Sequence, residues 1–488
     1  MKKNIKWLLL VSLTFMAACN NDDNDNAQEE VPVTPGSAVF TKYVALGDSF
    51  AAGYSDNALF KKGQEGSYTN ILAQQFAAAG GGAFTTPFMN DNNGGLLLGG
   101  NVVAGTRLYF NGTGPVNVTA VPTTEITTHL AGPFGNLGVP GAKSFHLISP
   151  NYGNVAGLPA KSNPYFVRFA STPSTTVLAD AVSQNPTFFS LFIGGNDVLA
   201  YATSGGSGKD QKGNLDPSTY GSNDITDPTV FANVYSGLVT ALTANGAKGV
   251  VANLPYITAL PYFTTVPYNP VPLTETLAAQ LNAGYAVYNG GLDQLLKAQM
   301  ISADEAARRK IIFKAGNNAV VIVDSYLTNL SAAGLPSYRQ ATKEDLVILS
   351  ARTFIGTAVG GDPTKVNGLS VPLADNWVLT KDEALEVKNA TDAYNTTISS
   401  IATEKGLAFV DTRAVLTQLS TSGIKFGNFS LTSAYVTGGA FSLDGVHPSA
   451  RGYALIANIF IDAINAKYTS TLRHVDLSTY PIQYPKSL

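Results

Sequence analysis

"YVALGDSFAAGYSD", residues 43–56, decides how this chain is read. Tyr43 to Leu46 form a short apolar run that reads as a buried strand. The run stops at Gly47, and an acid and a hydroxyl follow. Gly, Asp and Ser are turn formers, so one reading is a plain turn. The other is chemical: the strand delivers Ser49, exposed, to the carboxyl edge of a sheet, where open α/β sheets place their sites.

From Val39 onward, short apolar runs alternate with helical stretches, which predicts a central parallel sheet covered on both faces. "FTKYVALGDS" is the first strand, and "SYTNILAQQFAAAG" a helix ended by Gly80. Residues 80–135 are Gly- and Asn-rich with little periodicity and read as a loop insertion. "PTFFSLFIGGND" and "KGVVANLPYI" are further strands around the helix "ANVYSGLVTALTANG". An echo follows. The helix "LAAQLNAGYAVYNGGLDQLLKAQ" precedes the strand "NAVVIVDS", and "EALEVKNATDAYNTTISSIATEKG" precedes "LAFVDTRAVL". Both pairs carry Tyr-Asn, at Tyr288-Asn289 and Tyr394-Asn395, and both strands end in Asp, at Asp324 and Asp411. One pair is expected in the core sheet and the other, with residues 300–380, in an insertion. Chance similarity of two amphipathic helices explains the echo equally well.

The chain has 488 residues, 45% hydrophobic and 13% charged, enough for a large core. Its net charge of −3 argues against a nucleic-acid partner, which needs a basic surface. The sole cysteine is Cys19, so no disulfide forms within the chain. Residues 1–18 carry a basic start (Lys2, Lys3, Lys6) and an apolar segment from Trp7 to Ala18, too short to span a bilayer and patterned as a signal peptide. "MAAC" resembles a bacterial lipobox, which implies cleavage before Cys19 and lipidation of its thiol. Residues 19–38 are acidic and polar and read as a disordered tether, although a solvated linker explains the charges as well as an export signal does. The acidic run resembles the surface-export signals of Bacteroidetes lipoproteins. The expected location is therefore the bacterial envelope, anchored in the outer membrane through Cys19.

No HExxH or paired-Cys spacing is present, so no metal or other cofactor is expected. No Walker loop or G-x-S-x-G elbow occurs either. What remains is Ser49 and the stretch "DGVHP", with Asp444 three residues before His447. A serine hydroxyl needs a base to take its proton. Histidine suits that work near neutral pH, and a carboxylate on its other ring nitrogen holds the tautomer. Alone, "DGVHP" reads as a surface turn.

Together, "GDSF" and "DGVHP" resemble the first and last blocks of the GDSL, or SGNH, hydrolases. "GNLGVPGAKS" resembles the second block and "IGGNDVL" the third, in family order along residues 41–465. Phe50 replaces the Leu that names the family. The resemblance implies a three-layer α/β/α domain, flavodoxin-like in outline, over residues 39–470, with 471–488 as a C-terminal tail. It also implies an ester hydrolase with Ser49 as nucleophile, His447 as base and Asp444 behind it. The Ser49 and Gly141 backbone N–H groups and the Asn196 side chain would form the oxyanion hole. Asp48 either caps the following helix or orients the loop. Two other readings stay open: a glycan O-deacetylase of the same fold, and a non-catalytic surface lipoprotein that binds glycan or lipid.

Overall fold

A computed structural model describes residues 32–488. The expected signal segment, residues 1–18, and Cys19 lie outside the described residues. β1 (Tyr43–Gly47) runs into a one-turn helix, α1 (Ser49–Ala52), and α2 (Tyr68–Ala78) returns along the sheet. A long excursion leads to β2 (Asn136–Gly138), then α3 (Val177–Val182), β3 (Phe188–Phe192), α4 (Asn196–Thr203), α5 (Pro228–Thr243) and β4 (Lys248–Ala252). A second excursion carries α6 (Glu275–Gly284), α7 (Ala286–Lys297) and α8 (Ala303–Arg309). The chain rejoins the body with α9 (Lys381–Glu404), β5 (Ala408–Val410), α10 (Thr412–Thr421) and α11 (Ala450–Tyr468).

The five strands form one parallel sheet in the order β2-β1-β3-β4-β5. That is the flavodoxin-like order, with its topological switch point between β1 and β3. Tyr43 lies opposite Phe188 and Gly47 opposite Phe192. Every residue of β1 and β3 is buried, as expected of strands covered on both faces. α2 and α11 pack together on one face; α3, α5 and α9 cover the other. The architecture is thus α/β in three layers.

The echo resolves by topology. β5 joins the core sheet beside β4, whereas Val321–Val323 pairs antiparallel with Tyr338–Gln340, away from that sheet. The continuous helix expected there is instead two, α6 and α7, broken at Tyr285 directly after Gly284. Gly is a poor helix former, and the Tyr285 hydroxyl is drawn off to the Leu369 carbonyl at 2.6 Å. This excursion buries its own apolar cluster around Tyr288, Leu292 and Ile311.

Residues 80–135 are not an open loop. They fold into two short antiparallel ribbons over a small core of Leu59, Met89, Leu96 and Ile126. The buried Arg107 guanidinium donates to the carbonyls of Asn92 at 2.8 Å and Pro485 at 2.6 Å, tying this region to the C-terminal tail. Residues 32–38 also depart from the expected disorder. The Ser37 N–H donates to Tyr468 O at 2.8 Å, the Thr34 N–H to Thr471 Oγ1 at 2.8 Å, and Ala38 is buried. Backbone bonding and burial at the end of α11 outweigh the polar composition.

Candidate active site

β1 ends at Gly47, where it packs closely on its neighbour: a Cβ there would lie 2.5 Å from Phe192 O on β3. Asp48 then caps α1, its Oδ1 accepting the Phe50 N–H at 3.0 Å. Ser49 is the first residue of that helix, at the switch point of the sheet. It is only 5% exposed, so it forms the floor of a pocket rather than a surface hydroxyl.

The chain returns to this point 398 residues later. His447 Nε2 lies 2.9 Å from Ser49 Oγ. His447 Nδ1 lies 2.9 Å from Asp444 Oδ2. Asp444 Oδ1 accepts the Val446 and His447 N–H groups, both at 2.8 Å. Burial alone would raise the Asp444 carboxyl, but the His447 ring and these donors outweigh it and hold it at about 2. An ionised carboxylate only accepts, so Nδ1 carries the proton and Nε2 is left to accept the Ser49 hydroxyl.

Asp444 has a third backbone donor that the sequence reading missed. The Asn57 N–H reaches its Oδ2 at 2.9 Å. Asp56 and Asn57 both adopt positive φ, 50° and 63°, in a turn closed by Ser55 and Ala58. That is a two-residue hairpin turn, and "SDNA" carried its signal in the Asx residues that tolerate this conformation. Asp56 braces the same loop: its Oδ1 accepts Leu443 N–H at 2.9 Å and its N–H donates to Ser442 Oγ at 3.0 Å. Burial pushes the Asp56 carboxyl up to about 7, and its Oδ2 has no partner among the described residues. Tyr54 packs over the imidazole, ring centres 4.6 Å apart.

Asn196 opens α4 on the far side of Ser49, and both line one pocket with Asp48 and Val446. Its Nδ2 donates to Ala142 O at 3.0 Å. The amide has two N–H bonds, so one remains for an oxyanion. Gly141 sits one residue before Ala142, exposed, at φ 79°, a conformation that favours glycine. The structure therefore joins Ser49, His447 and Asp444 by direct bonds, and Gly141 to Asn196 through the Ala142 carbonyl. Asp48 is pushed up to about 6 by burial, against the pull of the Phe50 N–H and the His447 ring. The other described histidines lie elsewhere: His129 bonds Ala170 O, His146 accepts the Lys143 N–H, and His474 pairs with Asp462.

Among the described residues no group of three or more His, Cys, Asp or Glu is placed to hold a metal ion. No described helix is long and apolar enough to cross a membrane. No protein-family model and no curated protein matches the chain. Among solved structures, it is similar to the acetylxylan esterase Axe2 of Geobacillus stearothermophilus, at 12% identity over 88% of this chain and 97% of that one, TM-score 0.31. It is similar to phospholipase A1 of Streptomyces albidoflavus at 13% identity over 88% and 100%, TM-score 0.30. It is similar to an extracellular lipase of Streptomyces rimosus at 12% identity over 88% and 99%, TM-score 0.29. Likenesses this weak decide neither fold nor reaction, which rest on the sheet order and the geometry around Ser49.

Proposed function

We propose that this protein is a serine ester hydrolase of the GDSL type. One observation carries the reading: Ser49 Oγ, the His447 ring and the Asp444 carboxylate stand in line at 2.9 Å and 2.9 Å. In the proposed reaction Ser49 Oγ bonds to the ester carbonyl carbon while its proton passes to His447 Nε2. The C–O bond to the alcohol breaks, and the leaving oxygen takes that proton from His447. A water then attacks the acyl-serine, gives its proton to His447, and the carboxylic acid departs as Ser49 Oγ recovers the proton. Negative charge on the carbonyl oxygen meets the Ser49 N–H, the Gly141 N–H and the Asn196 amide, and donors of this kind contribute ~2.7–4 kcal/mol each. An intact triad argues against the non-catalytic binder. Lipidation of Cys19 would hold this activity at the bacterial outer membrane.

The test is Ser49→Ala. It is expected to abolish turnover of p-nitrophenyl esters and labelling by a fluorophosphonate, with an unchanged circular-dichroism spectrum. Near-wild-type turnover by the folded variant would overturn the reading. A parallel assay of acetate release from acetylated polysaccharide separates an esterase of small lipidic esters from a glycan O-deacetylase.

A further inference from the structure

A second apolar pocket borders the one at Ser49. The Ser49 pocket spans about 470 Å³, the open solvent at its mouth included, and its walls beyond Asp48 and Asn196 are almost wholly apolar. The second, of about 590 Å³, its mouth included, adjoins it and shares the walls Phe50, Phe192, Pro255 and Leu260. This second cavity lies between the sheet and two helices. Thr412, Val415 and Leu419 face it from α10, and Leu455, Ile456 and Ile459 from α11. These positions follow i, i+3, i+7 and i, i+1, i+4, so one stripe of each helix turns toward the same space. Thr412 is the one wall residue with a polar side chain.

Protein interiors normally close such space, because an unfilled apolar void forfeits the dispersion contacts of its lining. An apolar cavity also holds water poorly and takes apolar guests. Here the void begins at the residue that follows the nucleophile. Phe50 lies 5.6 Å from Phe192 and 5.7 Å from His447, ring centre to ring centre, so its ring stands between the triad and the cavity.

We propose that the two chambers together receive the acyl chain of the substrate, and that the protein prefers esters of medium-to-long unbranched fatty acids over acetate. The inference rests on the proposed hydrolase reading for the carbonyl end and on the cavity alone for the chain. A carbonyl carbon held at Ser49 Oγ directs its hydrocarbon past Phe50 and Phe192 toward α10 and α11, and the alcohol toward solvent. Each methylene moved from water into such a lining is worth about fourfold in kcat/KM.

The experiment has two arms, both on the full mature chain. In the first, kcat/KM is measured for p-nitrophenyl acetate, butyrate, octanoate and decanoate. Decanoate is expected to exceed acetate by at least tenfold. Val415→Phe and Ile456→Phe, which fill the cavity from half-buried positions on opposite walls, are expected to lower the decanoate-to-acetate ratio at least tenfold. In the second arm, cis-parinaric acid fluorescence is titrated into the Ser49→Ala protein and displaced with dodecanoate or acetate. Dodecanoate should displace it, acetate should not, and Val415→Phe should weaken binding at least tenfold. Acetate turnover with a flat or falling chain-length series overturns the acyl-chamber inference and leaves the hydrolase standing. Dodecanoate binding without turnover of any ester upholds the chamber and overturns the hydrolase. Absence of both overturns both.

Discussion

Asp197 holds Ser144 with both carboxylate oxygens: Oδ2 accepts the Ser144 N–H at 2.8 Å and Oδ1 the Ser144 hydroxyl at 2.7 Å. Asp197 is fully buried, and burial raises its carboxyl while the Ser144 donors pull it back down. It neighbours Asn196, and Ser144 follows the Gly141 turn by three residues, so this pair sets the two halves of the candidate oxyanion hole against each other. Ser144→Ala is expected to lower kcat with little change in KM, and to cost about 1–3 kcal/mol in stability by stranding a buried acceptor. Kinetics beside urea unfolding check it. Lost stability with an unchanged kcat would make the clamp purely structural.

Asn196→Ala should reduce kcat on the order of 10²- to 10³-fold and leave KM nearly unchanged, because an oxyanion donor acts in the transition state. Steady-state kinetics on a short-chain ester decide it. A loss confined to KM would assign Asn196 to substrate binding.

Stability should rise on acidification from pH 7 toward pH 4. Asp48 and Asp56 are held at about 6 and about 7, above the ordinary 3.8, so in that window the folded chain binds protons that the unfolded chain does not. Asp444 works in the opposite sense at lower pH: its stabilisation is present above 3.8 and lost as pH falls toward about 2. Asp56→Asn keeps an oxygen for Leu443 and should flatten the pH 4–7 part of the curve. Thermal melts across pH 3–8 check both; an unchanged slope in the variant contradicts the Asp56 share.

A chain starting at Ala38 should melt on the order of a few degrees below one starting at Pro32, with kcat preserved. It loses the Thr34 and Ser37 bonds to Thr471 and Tyr468, at the opposite end of α11 from His447. Equal melting temperatures would show that these bonds add nothing net.

Cys19→Ser should abolish incorporation of radioactive palmitate and move the protein out of the membrane fraction, since two or more chains anchor stably where one is marginal. A wild-type protein that is soluble and unlabelled would remove the anchor and leave the hydrolase proposal intact.

Signals that live within a few residues were legible in the sequence alone. The apolar run before Gly47, the strand before "GGND" and the delivery of Ser49 to the end of a strand depend on local hydrophobic pattern, whereas "DGVHP" alone reads as a turn and His447 is singled out by resemblance. The cap on α1 is one of two readings open for Asp48, and it needs no tertiary partner because the side chain serves an N–H two residues on. Pairing is different. Val321–Val323 and Ala408–Val410 read alike, and only the sheet order separates the ribbon from the core strand. The choice depends on contacts far along the chain, which no window of sequence contains. The same holds for Asn57 on Asp444 and for Arg107 on the C-terminal tail, where a backbone N–H and a surface-type residue meet partners 387 and 378 residues away. The void between α10 and α11 is the extreme case. Its walls are ordinary apolar positions in each helix, and that they leave space rather than fill it is a property of how the helices pack.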